Sequence, residues 1–181
     1  MTAAGICQAE AAMGACDPRT VRARCPDGQS CRAATAETGT CAAPAMETEP
    51  NDLIAMATAI TGGAGSVRGA LSVYDTDCYT VEVPSGGRVF ARAAAPSGLC
   101  YTGSVLAIDL YDPSGRLLGS NTSSGAFGCP MIDGPDTRTP PIFTWARDLP
   151  AGRYALCVRN PQSGRAAVGD YVLDVNATPA P

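Results

Sequence analysis

The side chains best equipped for chemistry in this chain are carboxylates. Residues 46–52 read METEPND, placing Glu47, Glu49, Asn51 and Asp52 in one short segment; YDTDCYTVEV then adds Asp75 and Asp77 at the mouth of an alternating apolar run. In an extended backbone Glu47, Glu49 and Asn51 fall on one side, because the side-chain period is two and Pro50 disfavours helix at Glu49. Carboxylate and amide oxygens are what a hard divalent cation takes, roughly six to eight at a time, and carboxylates meeting without a cation repel. Turn chemistry is the competing reading. In it Asn51 and Asp52 form an Asx turn or cap the following LIAMATAI, Asp75 and Asp77 end a turn, and Glu47 and Glu49 are solvated. The residues alone leave both open.

Composition removes most other chemistry. All 13 basic residues are Arg, there is no His, and the net charge is -4 with the Arg scattered, so nucleic acid is not an expected partner. The missing imidazole takes away the usual general base, the commonest nitrogen ligand and every His-based triad. No His and no flanking cation activates a cysteine thiol. One enzymatic form remains, a carboxylate pair acting as acid and base in glycoside hydrolysis, with Asp75 and Asp77 or Asp109 and Asp174 as the pairs to name. Neither pair has a sequence-level reason to sit in a cleft, so no activity is expected. No apolar run approaches the roughly 20 residues of a membrane helix.

Nine cysteines, none in C-x-x-C spacing, point to disulfides in an oxidising compartment. Residues 1–45 hold Cys7, Cys16, Cys25, Cys31 and Cys41 with hardly a large apolar side chain. Such a segment is irregular and held by cross-links, each contributing about 3 kcal/mol. QAEAAMGAC reads as a short helical stretch and CPDGQSC as a turn between bridged cysteines. Cys16, Cys25, Cys31 and Cys41 are expected in bridges, leaving Cys7 free or partnered upstream. MTAAGIC has neither a basic start nor an apolar stretch, so the export signal is expected outside this sequence and the chain is expected to be part of a longer protein.

From Ser66 onward short alternating runs separated by turn signals predict an all-β fold, an antiparallel β-sandwich of jelly-roll type. SVRGALS is followed by DCYTVEV, with Tyr79, Val81 and Val83 on one face and Cys78, Thr80 and Glu82 on the other. RVFARAAA, SVLAIDLY and RLLGSN come next, the last two joined as a hairpin by DPSG. PIFTWARDL, GRYALCVRN and GDYVLDVNA complete the strands, and Phe143 and Trp145 are expected in the core. Cys78 and Cys157 lie on strands, and Cys100 and Cys129 in Gly-rich loops. Their matching settings favour bridges 78–157 and 100–129, with other pairings open. Tyr74, Tyr101 and Tyr111 adjoin loops or oppose an apolar face, where a binding platform is the less favoured reading.

The order ETEPND, AMATAI, GALSVYDTDCYTVEVPSGG, IDLYDPSGRLL, LPAGRYALCV and DYVLDV, over about residues 46 to 177, resembles the bacterial pre-peptidase C-terminal domain. The resemblance implies a β-sandwich over residues 46–177, preceded by the cysteine-rich segment 1–45 and followed by a tail, 178–181. It also implies a non-catalytic module of secreted or surface proteins, related to the collagen-binding modules of bacterial collagenases. In those relatives the acidic linker before the first strand and aspartates before a later strand bind calcium. Carried over, the ligands are Glu47, Glu49, Asn51, Asp52, Asp75 and Asp77, with Ser72 and the carbonyl of Gly69 or Leu71 as weaker candidates. The collagenase modules space their later aspartates differently from DTD, and no collagen-recognition surface can be matched. The expected role is an accessory or binding module of a larger exported bacterial protein, extracellular or at the cell surface. It is expected to be monomeric, with neighbouring domains and extracellular polysaccharide or protein polymer as partners; a plain spacer is the alternative.

Overall fold

A computed structural model of the chain describes residues 15–16, 25, 29–33, 39–96, 106–122, 129–135, 141–161 and 169–180. Its strands are β1 (Ala15–Cys16), β2 (Ser30–Ala33), β3 (Gly39–Ala42), β4 (Ala45–Met46), β5 (Thr58–Ile60), β6 (Ala64–Leu71) and β7 (Thr76–Val83). They continue as β8 (Arg88–Ala94), β9 (Ala107–Tyr111), β10 (Leu117–Asn121), β11 (Met131–Asp133), β12 (Gly152–Arg159) and β13 (Gly169–Thr178). Two five-stranded sheets, β10-β9-β12-β7-β5 and β11-β8-β13-β6-β4, pack as a sandwich, and β1-β3-β2 form a small third sheet. The expected all-β sandwich is what the chain forms. No helix among the described residues is long and apolar enough to cross a membrane.

Period-two alternation supplies the core. Tyr79, Val81 and Val83 of β7, Ile108 and Leu110 of β9, and Tyr154, Leu156 and Val158 of β12 face Val67 and Leu71 of β6, Val89 and Ala91 of β8, and Tyr171, Leu173 and Val175 of β13. The outer face of β13 is buried too, although it carries Asp174 and Asn176. Strand β2 lies against β6 and β13, and the Arg32 guanidinium donates to the Ala64 carbonyl. The Ser66 hydroxyl donates to Asp174 at 2.6 Å, giving the covered carboxylate a partner.

Several sequence expectations change. Edge strands β4 and β5 pair parallel, with β6 and β7 respectively, rather than antiparallel. A parallel neighbour requires a connection that returns in the same direction, and the chain provides it by crossing from one sheet to the other between β4 and β5. PIFTWARDL is not a strand: Thr144–Ala146 is a three-ten turn, with Phe143 and Ala146 buried three residues apart, a helical rather than a strand spacing. Phe143 and Trp145 do pack together, edge to face at 5.7 Å. Ala15 and Cys16, expected in a helical stretch, form β1 against β3. The short strands β5 and β11 carry too little alternation to be read in advance.

Disulfides join Cys25 to Cys41 and Cys78 to Cys157, and Cys16 and Cys129 are also disulfide-bonded. Cys7 and Cys100, and with them the 100–129 pairing, lie outside the described residues, as does the side chain of Cys31.

Candidate functional site

The acidic segment is positioned by topology. Strands β4 and β6 are neighbours in one sheet and β5 and β7 in the other, so the β4–β5 connection (residues 47–57) and the β6–β7 connection (residues 72–75) cross between the sheets side by side. ETEPND and VYDT therefore meet at one end of the sandwich, although neither has the other as a sequence neighbour.

Glu47 folds back onto the sheet. Its Oε1 accepts the Ala70 N–H at 2.7 Å and its Oε2 accepts the Tyr79 hydroxyl at 2.8 Å. Glycine is required beside it, since a Cβ at Gly69 would lie 2.4 Å from Glu47 Oε2 and 2.6 Å from the Tyr171 hydroxyl. Tyr79 and Tyr171, both fully buried, contact each other through their hydroxyls at 2.7 Å, and Tyr171 donates to Asp77 Oδ2 at 2.6 Å. Glu47, Tyr79, Tyr171 and Asp77 thus form one chain of three short contacts with two hydroxyl protons to fill them. A third proton must come from a carboxyl group. Burial above all, with the Glu47 charge also contributing, pushes the Asp77 carboxyl up to about 8, and when Asp77 holds that proton the bond reverses, so that Asp77 donates to Tyr171, Tyr171 to Tyr79 and Tyr79 to Glu47.

The remaining acidic residues close around this chain. Glu49 Oε2 accepts the Asn51 N–H at 2.9 Å, and burial followed by the charges of Glu47, Asp75 and Asp52 raises the Glu49 carboxyl. Asp75 accepts the N–H groups of Ser72 at 2.8 Å and Thr76 at 3.0 Å. Burial alone raises Asp75, but hydrogen bonds from Ser72, Asp52 and Thr76 outweigh it and hold the carboxyl below its usual range. Asp52, hydrogen-bonded to Asp75, is raised chiefly by that contact. Asn51 is fully buried, and its carbonyl accepts the Cys78 N–H at 3.0 Å.

Turn chemistry explains Asp75 and the exposed Glu49 with its local bond to the Asn51 N–H, but not Glu47, Asn51 or Asp77. Leu53, not Asn51 or Asp52, precedes the three-ten turn Ile54–Met56, and no side chain caps it. Asp77 lies inside β7 rather than at a turn, and Glu47 is hydrogen-bonded rather than solvated. A carboxylate oxygen of each of Glu47, Glu49 and Asp77 lies within 4.8 Å of the others. Two features test whether the set suits a cation. Asp77 Oδ1 is buried without a hydrogen-bond partner, and so are both polar atoms of the Asn51 side chain. Hard oxygens at this spacing, with lone pairs left over, fit a divalent cation of the calcium or magnesium type. Glu47, Glu49, Asp52 and Asp75 also line an open cavity with Ala70, Ser72, Val73 and Tyr74.

The other sequence candidates fare differently. Asp109 points out of β9 and pairs with Arg159 at 2.6 and 3.2 Å, whereas Asp174 points out of β13 on the opposite sheet. A carboxylate pair cannot act across the full thickness of a sandwich, so Asp109 and Asp174 do not form a hydrolytic site. Tyr111 is part-buried, its phenol raised by burial and then by Asp109; Tyr74 is exposed, and Tyr101 lies outside the described residues. The residues that sequence reasoning missed are Tyr79 and Tyr171, and Gly69 is named there only for its carbonyl, not for the close approach it permits. Tyrosine at a core position of a strand must find a partner for its hydroxyl, and glycine inside SVRGALS marks a close approach.

No protein-family model and no curated protein matches this chain. Among solved structures it is similar to the pre-peptidase C-terminal domain of collagenase from Bacillus anthracis, at 19% identity and a TM-score of 0.44, covering 72% of this chain and 100% of that one. PliG of Aeromonas hydrophila, a periplasmic inhibitor of g-type lysozyme, is similar at 13% identity and a TM-score of 0.44, covering 75% and 100%. The PliG of Salmonella Typhimurium is similar at 14% identity and a TM-score of 0.40, covering 67% and 97%.

Proposed function

We propose that this chain is a non-catalytic accessory or binding module of an exported protein, working outside the cell or at its surface, whose acidic end takes calcium. The observation that carries the reading is the convergence of carboxylate oxygens of Glu47, Glu49 and Asp77 within 4.8 Å of one another, with one buried Asp77 oxygen left without a hydrogen-bond partner. Those three residues are the inner ligands, the Asn51 side-chain oxygen and water can complete an oxygen shell of the size calcium takes, and Asp52 and Asp75 line the open cavity outside it. Calcium there replaces the proton that Asp77 otherwise holds and removes the repulsion among the carboxylates. Disulfides such as Cys78–Cys157 support an oxidising location. The absence of His and the separation of Asp109 from Asp174 support a binding rather than a catalytic role.

Thermal unfolding of the oxidised protein in excess calcium, excess magnesium and chelator tests this. At 100 times the dissociation constant a ligand specific to the folded state adds about 2.7 kcal/mol, a rise of several degrees in Tm. The rise is expected with calcium and is expected to disappear in Asp77→Asn. Superimposable scans would sink the metal site and leave a disulfide-held spacer.

A further inference from the structure

Five of the eight exposed large apolar residues among the described ones fall on the two connections that build the acidic end. They are Leu53, Ile54 and Met56 on one, and Val73 and Tyr74 on the other; Leu53 is 61% and Tyr74 77% exposed. Asp52 directly precedes Leu53 and Asp75 directly follows Tyr74, and the two aspartates line the same open cavity. Tyr74 has φ of 65°, a left-handed backbone that bulky residues rarely adopt, and it lines the cavity with Val73. Apolar side chains of this size concentrated at one end of a soluble domain mark a contact surface.

Charge selects the partner. Glu47, Glu49, Asp52, Asp75 and Asp77 place five carboxyl groups at this end, and no basic residue lines the cavity. Nearby Arg68 is engaged by Asp170. A bound divalent cation offsets two of those charges, so the mouth stays acidic with or without metal. An anionic lipid surface is repelled by such a mouth, whereas a guanidinium or ammonium group is drawn to it. We propose that the Asp52–Asp75 pair with its rim of Leu53, Ile54, Val73 and Tyr74 docks a polypeptide segment that presents an Arg or Lys side chain beside large apolar ones. The cationic head meets the two cavity carboxyls and the flanking apolar groups cover the rim, the division of labour common to aromatic and Arg anchors at interfaces. The inference rests on reading the chain as a binding module but not on the metal.

Titration of 15N-labelled, oxidised protein with blocked Leu-Arg-Leu-Arg-Leu and Leu-Glu-Leu-Glu-Leu peptides, in calcium and in chelator, tests it. Amide shifts at residues 52–56 and 72–75 are expected with the arginine peptide only, and in both buffers, whether or not calcium raises Tm. Leu53→Ser and Tyr74→Ala are expected to weaken binding about tenfold each, with the cation response of the parent kept. Equal shifts with both peptides, shifts elsewhere, or no shifts would overturn the proposal. So would self-association of the protein, lost in the same variants and without peptide binding, which would assign the rim to a second copy.

Discussion

Asp112 and Asp77 sit at opposite ends of the same sheet and behave in opposite ways. Asp112 opens the β9–β10 turn, where Oδ1 accepts the N–H groups of Ser114 at 2.9 Å and Arg116 at 3.0 Å and Oδ2 accepts Arg116 Nε at 3.1 Å. Hydrogen bonds from the Ser114 side chain first, then from the Arg116 backbone, hold its carboxyl down at about 2. Every partner lies within four residues, so the turn satisfies itself. Asp77, at the start of β7, draws on Tyr171 from β13, keeps one oxygen unpartnered and is raised. One end of the sandwich is electrostatically complete and the other is complete only with something added.

The largest way to break the contrast is to cut the bridge behind the acidic end. Cys78 follows Asp77 directly, its N–H holds Asn51, and its disulfide closes a loop of 79 residues. Replacing Cys78 and Cys157 together by Ser is expected to cost about 4 kcal/mol on the chain-entropy account, read as a fall of roughly 10 °C in Tm. Calcium is expected to protect the bridged protein more than the unbridged one.

Next comes Gly69→Ala, which drives a methyl into Glu47 Oε2 and the Tyr171 hydroxyl. A loss of about 2 kcal/mol in denaturant unfolding is expected, together with the calcium response. An unchanged response would mean that Glu47 is not an inner ligand.

pH sharpens the comparison because the two aspartates have opposite signs. The Asp77 carboxyl is raised from 3.8 to about 8, so the folded state binds the proton more tightly. Its contribution is fully present below about 4 and is lost as pH rises toward 8. Asp112 is lowered, so its contribution is present above about 4 and is lost as pH falls toward 2. Chelator-treated protein is expected to lose Tm between pH 5 and pH 8, and Asp77→Asn is expected to flatten that slope. Buried Asp174, raised to about 6 by burial, tilts the curve the same way, so the difference between parent and variant is the quantity to read.

The smallest effect is expected at the self-satisfied end. Asp112→Asn keeps the turn and one acceptor, and a change of about 1–2 °C in Tm with the calcium response intact is anticipated. A larger change would show that the hairpin also depends on distant partners.

The contrast also explains what could be read from the sequence. DPSG announces its own turn, with Gly115 at φ of 82° where a left-handed residue is needed, because the determinants are contiguous. Alternation in DCYTVEV and DYVLDV placed the core for the same local reason. The six acidic-end residues could be named, but what joins Glu47 to Asp77 is a pair of tyrosines 92 positions apart, and chain proximity carries no trace of it. The parallel edges β4 and β5 escaped for a similar reason, since two or three residues establish no period.

Those edge strands bear on how the domain carries load. Strand β4 is held to β6 through only two register positions and β5 to β7 through three. Once β2 has come away from β6 and β13, a pull on the chain preceding β4 therefore passes quickly from the backbone ladder to the Glu47 carboxylate, with its bonds to Ala70 and Tyr79, before it reaches the sheet beyond. The acidic end is thus a mechanical clasp as well as a chemical one, and the tension at which the edge peels depends on what the carboxylates hold.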